Sequence, residues 1–217
     1  MLDGRIQSVM SFVMFERVAD IGADHGQLSI ALIDGGRATK VIATEKNRGP
    51  FDALRSNISA AGLDGAIDVR LGDGLQVLKA GEVDTICIAG MGGALICRIL
   101  DAAPDVLQSA RQLILQPMNA VNETRDHLRT MGWAIDDEDI AEAAGIIYEI
   151  ISAVKVPTAP KIFKRESSPL RREFFLRRLK KLERVRDEMS RSSCARSSEK
   201  FSALAAEIDA LDRICRG

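Results

Sequence analysis

The chain contains no Gly-x-Gly-x-x-Gly, the turn that cradles a dinucleotide pyrophosphate on backbone N–H groups at a helix N-terminus. That absence argues against a nicotinamide oxidoreductase. Cys-x-x-Cys pairs are missing too: Cys87, Cys97, Cys194 and Cys215 lie scattered, so neither a zinc site nor any other metal site is expected, and the thiols read as free in a reducing compartment. No apolar run is long enough to cross a bilayer. Nor does the N-terminus carry a basic segment, an apolar core and a cleavage site, so a cytoplasmic protein is expected. Aromatic residues are scarce, with one tryptophan and one tyrosine. Trp133 and Tyr148 read as sheet-edge packing rather than as platforms for stacking bases.

What is present is a chain of 217 residues, 46% of them hydrophobic, enough for one α/β domain with an extension. The net charge of −1 hides an asymmetry. Residues 1–160 carry 14 Lys and Arg against 22 Asp and Glu, whereas residues 161–200 carry 14 against 6. Only the second stretch is suited to binding phosphate, and nucleic-acid contact is expected there. Nothing calls for an obligate protein partner.

Residues 2–13 place Leu2, Ile6, Val9, Met10 and Val13 at helical spacing, which predicts a leading helix. Strand-like runs at 17–21, 41–45, 67–71, 85–89 and 113–116 then alternate with helical stretches at 27–34, 50–61, 94–100 and 122–131. Such alternation implies a parallel sheet covered on both faces. Residues 133–140 and 146–154 read as two adjacent strands with no helical span between them. An antiparallel hairpin at one sheet edge follows, completing a seven-stranded α/β sheet. Residues 155–169, with Pro157, Pro160 and Pro169, read as a linker. Beyond it, Phe175, Leu179, Leu182, Arg186 and Met189 form one stripe, and Phe201, Leu204, Ile208, Leu211 and Cys215 another. Two amphipathic helices folded back on each other are the simplest reading, and one protruding coiled coil is the other. The expected domains are 1–155 and 156–217.

The richest segment is Asp20, Gly22, Ala23, Asp24, His25 and Gly26, directly after the apolar run of the first strand. Ligands in open α/β sheets sit beyond the carboxyl ends of strands, and glycine lets the backbone approach them closely. Acids there repel phosphate but suit a cationic ligand bearing an amino group and hydroxyls, which describes S-adenosylmethionine better than NAD. Helix capping by Asp24 is the competing reading. Glu45 ends the second strand about 20 residues later, where a carboxylate can accept bonds from ribose hydroxyls. Asp73 and Gly74 lie in a Gly-Asp-Gly at the third strand's end, placed to meet an adenine amino group, although the same triplet is common turn chemistry. Gly90, Met91, Gly92 and Gly93 follow the fourth strand and leave open floor where a flat base can enter beside a methyl donor. Gln116 and Asn119 flank Pro117 and offer amides to a base edge.

Together these residues resemble the bacterial tRNA N1-methyladenine methyltransferases that modify adenine 22. The resemblance covers residues 1–155 and rests on Asp-Ile-Gly-x-Asp-His at 20–25, Glu45 before Gly49-Pro50, and Arg-Leu-Gly-Asp-Gly-Leu at 70–75. It extends through Ala-Gly-Met-Gly-Gly at 89–93, Leu-Ile-Leu-Gln-Pro at 113–117, Gly132-Trp133 and Ile-Tyr-Glu-Ile at 147–150. The chain departs from the family at Gly26-Gln27, where an Ala-Tyr is usual, and at Met118, where the family has asparagine. It implies a Rossmann-like class I methyltransferase sheet of seven strands, the last antiparallel, with a C-terminal helical coiled coil that helps to hold tRNA. It also implies S-adenosylmethionine as the methyl donor, bound by Asp20, Gly22, Ala23, His25, Glu45, Asp73, Gly74, Gly90 and Met91. Asp24 is the expected catalytic residue, stabilising the positive charge that develops on the methylated adenine. A different RNA base, a small molecule or a protein as acceptor, and a non-catalytic RNA-binding protein, are the alternatives.

Overall fold

The computed structural model describes residues 4–143, 145–155, 171–191 and 197–216. They form two compact units, within 1–166 and within 167–217. The expected boundary after residue 155 meets residues 156–170, which lie outside the described ones, as does the expected linker apart from Lys155.

The first unit opens with helix α1 (Gly4–Phe12) and continues β1 (Arg17–Ile21), α2 (Gln27–Asp34), β2 (Lys40–Glu45), α3 (Arg48–Ala60) and β3 (Ile67–Leu71). Then come β4 (Thr85–Met91), α4 (Gly93–Asp101), α5 (Pro104–Ser109), β5 (Gln112–Pro117), α6 (Val121–Thr130), β6 (Ala134–Ala143) and β7 (Ile146–Val154). The seven strands form one sheet in the order 3-2-1-4-5-7-6. Strands β1 to β5 pair in parallel, and β7 runs antiparallel to both β5 and β6. A strand's side chains alternate between faces, and here the two faces collect two cores. Ala19, Ile21, Ile86, Ile88, Leu113 and Leu115 share one with Ile96, Leu100, Val106 and Leu128 of α4 to α6. Val18, Val41, Ala43, Cys87 and Ile114 share the other with Phe12, Leu32 and Leu54 of α1 to α3.

Two elements were not expected from the sequence, the 3-10 turn Gly74–Val77 and α5. Both are shorter than the windows that reveal helical periodicity, and α5 starts on Pro104, whose missing N–H costs nothing in a first turn. Trp133 is buried against the core before β6 begins, and the Lys155 ammonium stands 5.1 Å from its ring centroid. A buried amide ties α1 to the sheet. Gln112 Nε2 donates to the Phe12 carbonyl and Ser152 Oγ, while its Oε1 accepts from Met14 N–H and Thr85 Oγ.

In the second unit α7 (Arg171–Ser190) packs against the last helix, α8 (Glu199–Arg216). Phe175, Leu179, Ile208 and Leu211 of the expected stripes are the buried residues. Arg178 spends its charge on Glu207 at 2.6 Å between the helices. Arg172, Lys180, Lys181 and Arg184 are exposed.

Candidate active site

Strands β1 and β4 are sheet neighbours, but the chain leaves them toward opposite edges, β1 to β2 and β4 to β5. Such a switch point opens a crevice at the strands' carboxyl ends. Two adjoining cavities occupy it. The larger, about 600 Å³, is walled by the ends of β1, β2 and β4 and by Gly72, Asp73 and Gly74. The smaller, about 300 Å³, is walled by Asp20, Ala23, His25, Gln27 and Gln116, among others. Arg5, Gly22, Asp24, Ala89 and Gly90 line both.

The turn after β1 is held by backbone. Gly22 N–H and Ala23 N–H both donate to the Thr44 carbonyl, at 2.9 and 3.0 Å, extending the β1–β2 ladder beyond the strand. Gly22, Asp24 and Gly26 all have positive φ. Aspartate tolerates that region better than most residues, but at Gly22 a side chain would also strike the Met91 methyl, 2.2 Å from where its Cβ would lie. Glu45 at the tip of β2 braces the same turn. Its Oε1 accepts from Asp24 N–H and its Oε2 from Lys46 N–H, both at 3.0 Å. Each oxygen keeps a second lone pair for a hydroxyl on the cavity side.

The expected residues divide between the two cavities. Glu45, Asp73, Gly74 and Met91 line only the larger, and Asp20, Ala23 and His25 only the smaller. Asp20 lies near enough to Glu45 for the two charges to interact. It is 4% exposed, accepts a 2.6 Å bond from Ser29 Oγ, and burial pushes its carboxyl from 3.8 up to about 6. Asp73 carries a partner that its turn did not reveal, Lys46 Nζ at 2.7 Å. Asp24 is exposed at the rim, with His25 Nε2 3.8 Å from its Oδ1, too far for a hydrogen bond.

Gln116 does something other than offer its amide freely to a base. It is buried, and its Oε1 accepts from Gly90 N–H at 3.0 Å. That bond supports a register shift between Ala89 and Met91, where Gly90 takes φ +74 and no atom lies within 4 Å of where a Cβ would stand. Asn119 likewise turns inward, its Oδ1 accepting from Gly93 N–H at the start of α4. Gly93 has no room for a side chain, with two carbonyl oxygens 2.8 Å from its Cβ position.

Arg5 and Thr44 line the crevice without having been expected there. Arg5 enters from α1. Tyr148, which lines neither cavity, stands with its ring centroid 5.0 Å from the Arg5 guanidinium carbon. Thr44 lines the larger cavity, and its buried Oγ1 has no hydrogen-bond partner. An orphaned hydroxyl, a carboxylate with spare lone pairs and a glycine whose Cβ would meet only open space fit a nucleoside carrying hydroxyls. Among the described residues, no group of three or more His, Cys, Asp or Glu is placed to hold a metal. No described helix is long and apolar enough to cross a membrane.

The methyltransferase-domain family matches residues 2–151. A Bacillus subtilis protein named tRNA (adenine(22)-N(1))-methyltransferase is 42% identical over 153 residues, 70% of this chain and 64% of that protein. The chain thus spans just under two thirds of that relative's length. The crystal structure of the B. subtilis m1A22 tRNA methyltransferase superposes with a TM-score of 0.69 at 30% identity, covering 99% of each chain. A Streptococcus pneumoniae protein, described as a candidate tRNA (m1A22) methyltransferase and solved with S-adenosyl-L-methionine, gives 0.70 at 31% identity, covering 99% of this chain and 100% of that one.

Proposed function

The chain belongs to the tRNA (adenine-22 N1)-methyltransferase family, and on that premise we propose that it methylates N1 of an adenine in tRNA, at position 22, with S-adenosylmethionine as donor. The observation that carries this reading is the junction of the two cavities at Gly22, Asp24, Ala89 and Gly90. A ligand lying across both would place its centre there, open to solvent beside Asp24. Glu45 accepts the ribose hydroxyls, Thr44 offers its unspent hydroxyl, and Asp73 and Gly74 meet the adenine end. Gly22 forms the floor at the junction with Met91 beside it in the larger cavity, and Ala23 and His25 flank the amino-acid end, with Asp20 beneath it.

The donor supplies an electrophilic methyl group on a sulfonium. Adenine N1 already holds a lone pair, so no strong base is required, and alignment of the two reactants supplies much of the rate. The chain's share is placement and charge. The bulge at Gly90, fixed by Gln116, leaves room for the flat acceptor. Asp24 stabilises the cation that forms on the ring, which in a site closed over by the base is worth far more than in open water. N1 is hidden in a base pair, so the adenine enters unpaired or extruded. The exposed cations of α7 suit the RNA backbone, and the cytoplasm is where this substrate is found.

Purified protein, an unmodified tRNA transcript and S-adenosylmethionine test the reading directly. Nucleoside mass spectrometry detects N1-methyladenosine, and a primer-extension stop locates it. Asp24→Asn keeps a residue suited to positive φ but removes the charge. It is expected to lower kcat roughly 100-fold while calorimetric affinity for the donor stays within about threefold. Turnover near the unsubstituted rate would remove Asp24 from the chemistry. Methylation of another base or position would replace the acceptor.

A further inference from the structure

We propose that the tip of the β6–β7 hairpin is a wedge, with Ile146 and Ile147 entering the RNA base stack to fill the space that the extruded adenine leaves. The proposal rests on an adenine of RNA as the acceptor. Among the described residues six large apolar side chains are exposed, and five of them belong to the first unit. Leu71 ends β3, Leu95 lies in the first turn of α4 just after β4, and Met118 follows β5. Ile146 and Ile147 open β7, which runs antiparallel to β5. All five therefore stand at the crevice end of the sheet. The two isoleucines, 54% and 45% exposed, are neighbours.

The ladder places that tip beside the mouth of the crevice. Leu115 pairs with Ile151, so β7 begins five residues before that point while β5 runs only two beyond it. The start of β7 therefore projects past the strand tips that frame the crevice. Tyr148 shares a sheet face with Ile146, two residues away, and its ring stands 5.0 Å from the guanidinium carbon of Arg5, which lines both cavities. Two strand residues span about 7 Å, so Ile146 lies roughly that far beyond Tyr148. The projecting end is also braced. Ala143 pairs with Ile146, so the ladder runs to the last residue of β6 and the first of β7. Glu149, on the same face as Ile147, closes on Arg125 of α6 at 2.5 Å. On the other strand, the Glu142 carbonyl stands 3.1 Å from where a Gly4 Cβ would lie at the start of α1.

An exposed apolar pair at the end of a hairpin invites a partner, and the charge around it selects which. Glu142 is exposed opposite Ile147, and Asp24 is exposed at the crevice rim. Both repel phosphate, whereas the face of a base is uncharged. Isoleucine is among the side chains that enter a base step and hold it open. An adenine drawn into the crevice gives up its stacking and its pairing, and an apolar side chain in the gap offsets part of that loss. Branching at Cβ restricts each isoleucine to few rotamers, so little freedom is lost when it packs there.

Two tRNA transcripts test this against one double variant. One sets uridine opposite the target adenine; the other sets an abasic site there, so the target starts unpaired. Ile146→Thr combined with Ile147→Thr keeps the Cβ branching that strands favour and removes the apolar ends. On the paired transcript kcat/KM is expected to fall roughly 10- to 30-fold, and on the abasic one to stay within about threefold. Ile146→Val with Ile147→Val should keep nearly full activity on both. 2-Aminopurine in place of the target should brighten when the unsubstituted protein binds and brighten less with the threonine variant. Calorimetric affinity for S-adenosylmethionine should stay within about twofold, which shows that the crevice is intact. Equal loss on both transcripts would make the tip a general contact or a structural element, and no loss on either would leave it without a role; each overturns the wedge while methylation by the unsubstituted protein stands. A dimer in sedimentation that the threonine variant splits would assign the patch to a second copy of the chain and overturn it as well. If the unsubstituted protein methylated neither transcript, the RNA acceptor itself would be wrong and the wedge would fall with it.

Discussion

At the parallel half of the sheet Glu45 is held at a strand tip by two backbone N–H groups, whereas at the antiparallel edge Glu138 and Glu149 close on the Arg125 side chain. Both are carboxylates at 3.0 Å or less from their partners, but their surroundings differ. Backbone amides leave a carboxylate its outward lone pairs and keep it facing a cavity. Arg125 is 2% exposed, and its four polar contacts reach Glu138, Glu149 and Asn122 across α6, β6 and β7. There the charges are consumed by each other. One region holds acids ready for a ligand; the other uses them to fasten a helix to a hairpin.

Removing the guanidinium should break the second region hardest. Arg125→Ala strands two carboxylates with little solvent, and loss of one partner of a buried pair costs about 3–5 kcal/mol. Urea denaturation is expected to show that loss, while donor affinity of the molecules still folded stays unchanged. Arg125→Met combined with Glu138→Leu and Glu149→Leu should recover much of the stability, since well-packed apolar replacements of such clusters are often neutral. A single variant that lost donor binding in proportion would join the two regions into one.

Asp20 belongs to neither pattern and sharpens the contrast through pH. Its carboxyl is raised by burial, with the Ser29 bonds opposing the shift, from 3.8 to about 6. A raised acid favours the folded state while protonated, so the benefit is complete below about pH 4 and is lost as pH climbs through 6. Two pH units correspond to about 3 kcal/mol. The unsubstituted protein should therefore lose roughly that much stability from this residue between pH 4 and 6, and Asp20→Asn should flatten the slope. An equal slope in both proteins would mean that Asp20 is already ionised where it sits.

Much of the parallel half was legible because a strand buried on both faces reads as an apolar run, and its ligand acids fall at the end of that run. Glu45 and the Asp20–Gly26 turn were found by that route. Arg125 was not, because its pairing depends on which side chains an antiparallel register brings beneath α6. Nor was Arg5, whose helix precedes the alternating units and reaches the crevice only through packing on β6 and β7. The amides of Gln116 and Asn119 were read as base contacts because residue type reveals a donor but not the backbone group that occupies it. Trp133 is buried in the core, as a packing residue should be, and Tyr148 sits in the β6–β7 ladder opposite Ala141.

Glu45→Ala should act in the opposite sense to Arg125→Ala. It removes the acceptor for the ribose and the brace on Asp24 N–H together. Hydrogen bonds to charged groups contribute about 1.5–3 kcal/mol, so the dissociation constant for S-adenosylmethionine should rise about 10- to 100-fold. Stability should change little, since the residue lies at the cavity edge and its two N–H partners can turn to water. A large drop in melting temperature with normal donor affinity would give this carboxylate the holding role seen at Glu138.

Gly90→Ala asks whether the space at the junction is kept for a ligand. Gly90 takes φ +74, and a methyl group placed there would meet no protein atom within 4 Å. Only the backbone resists it, at roughly 1–2 kcal/mol for a non-glycine residue in the left-handed region. The melting temperature should therefore fall by several degrees with the fold intact. The same methyl group faces a cavity wall shared by both ligand compartments, so acceptor entry should suffer more than stability does. A loss in kcat/KM for tRNA well beyond that modest strain would show the emptiness to be reserved. Full activity in a slightly destabilised variant would make Gly90 a requirement of the bulge alone, and would move the acceptor away from the Gln116 side of the crevice.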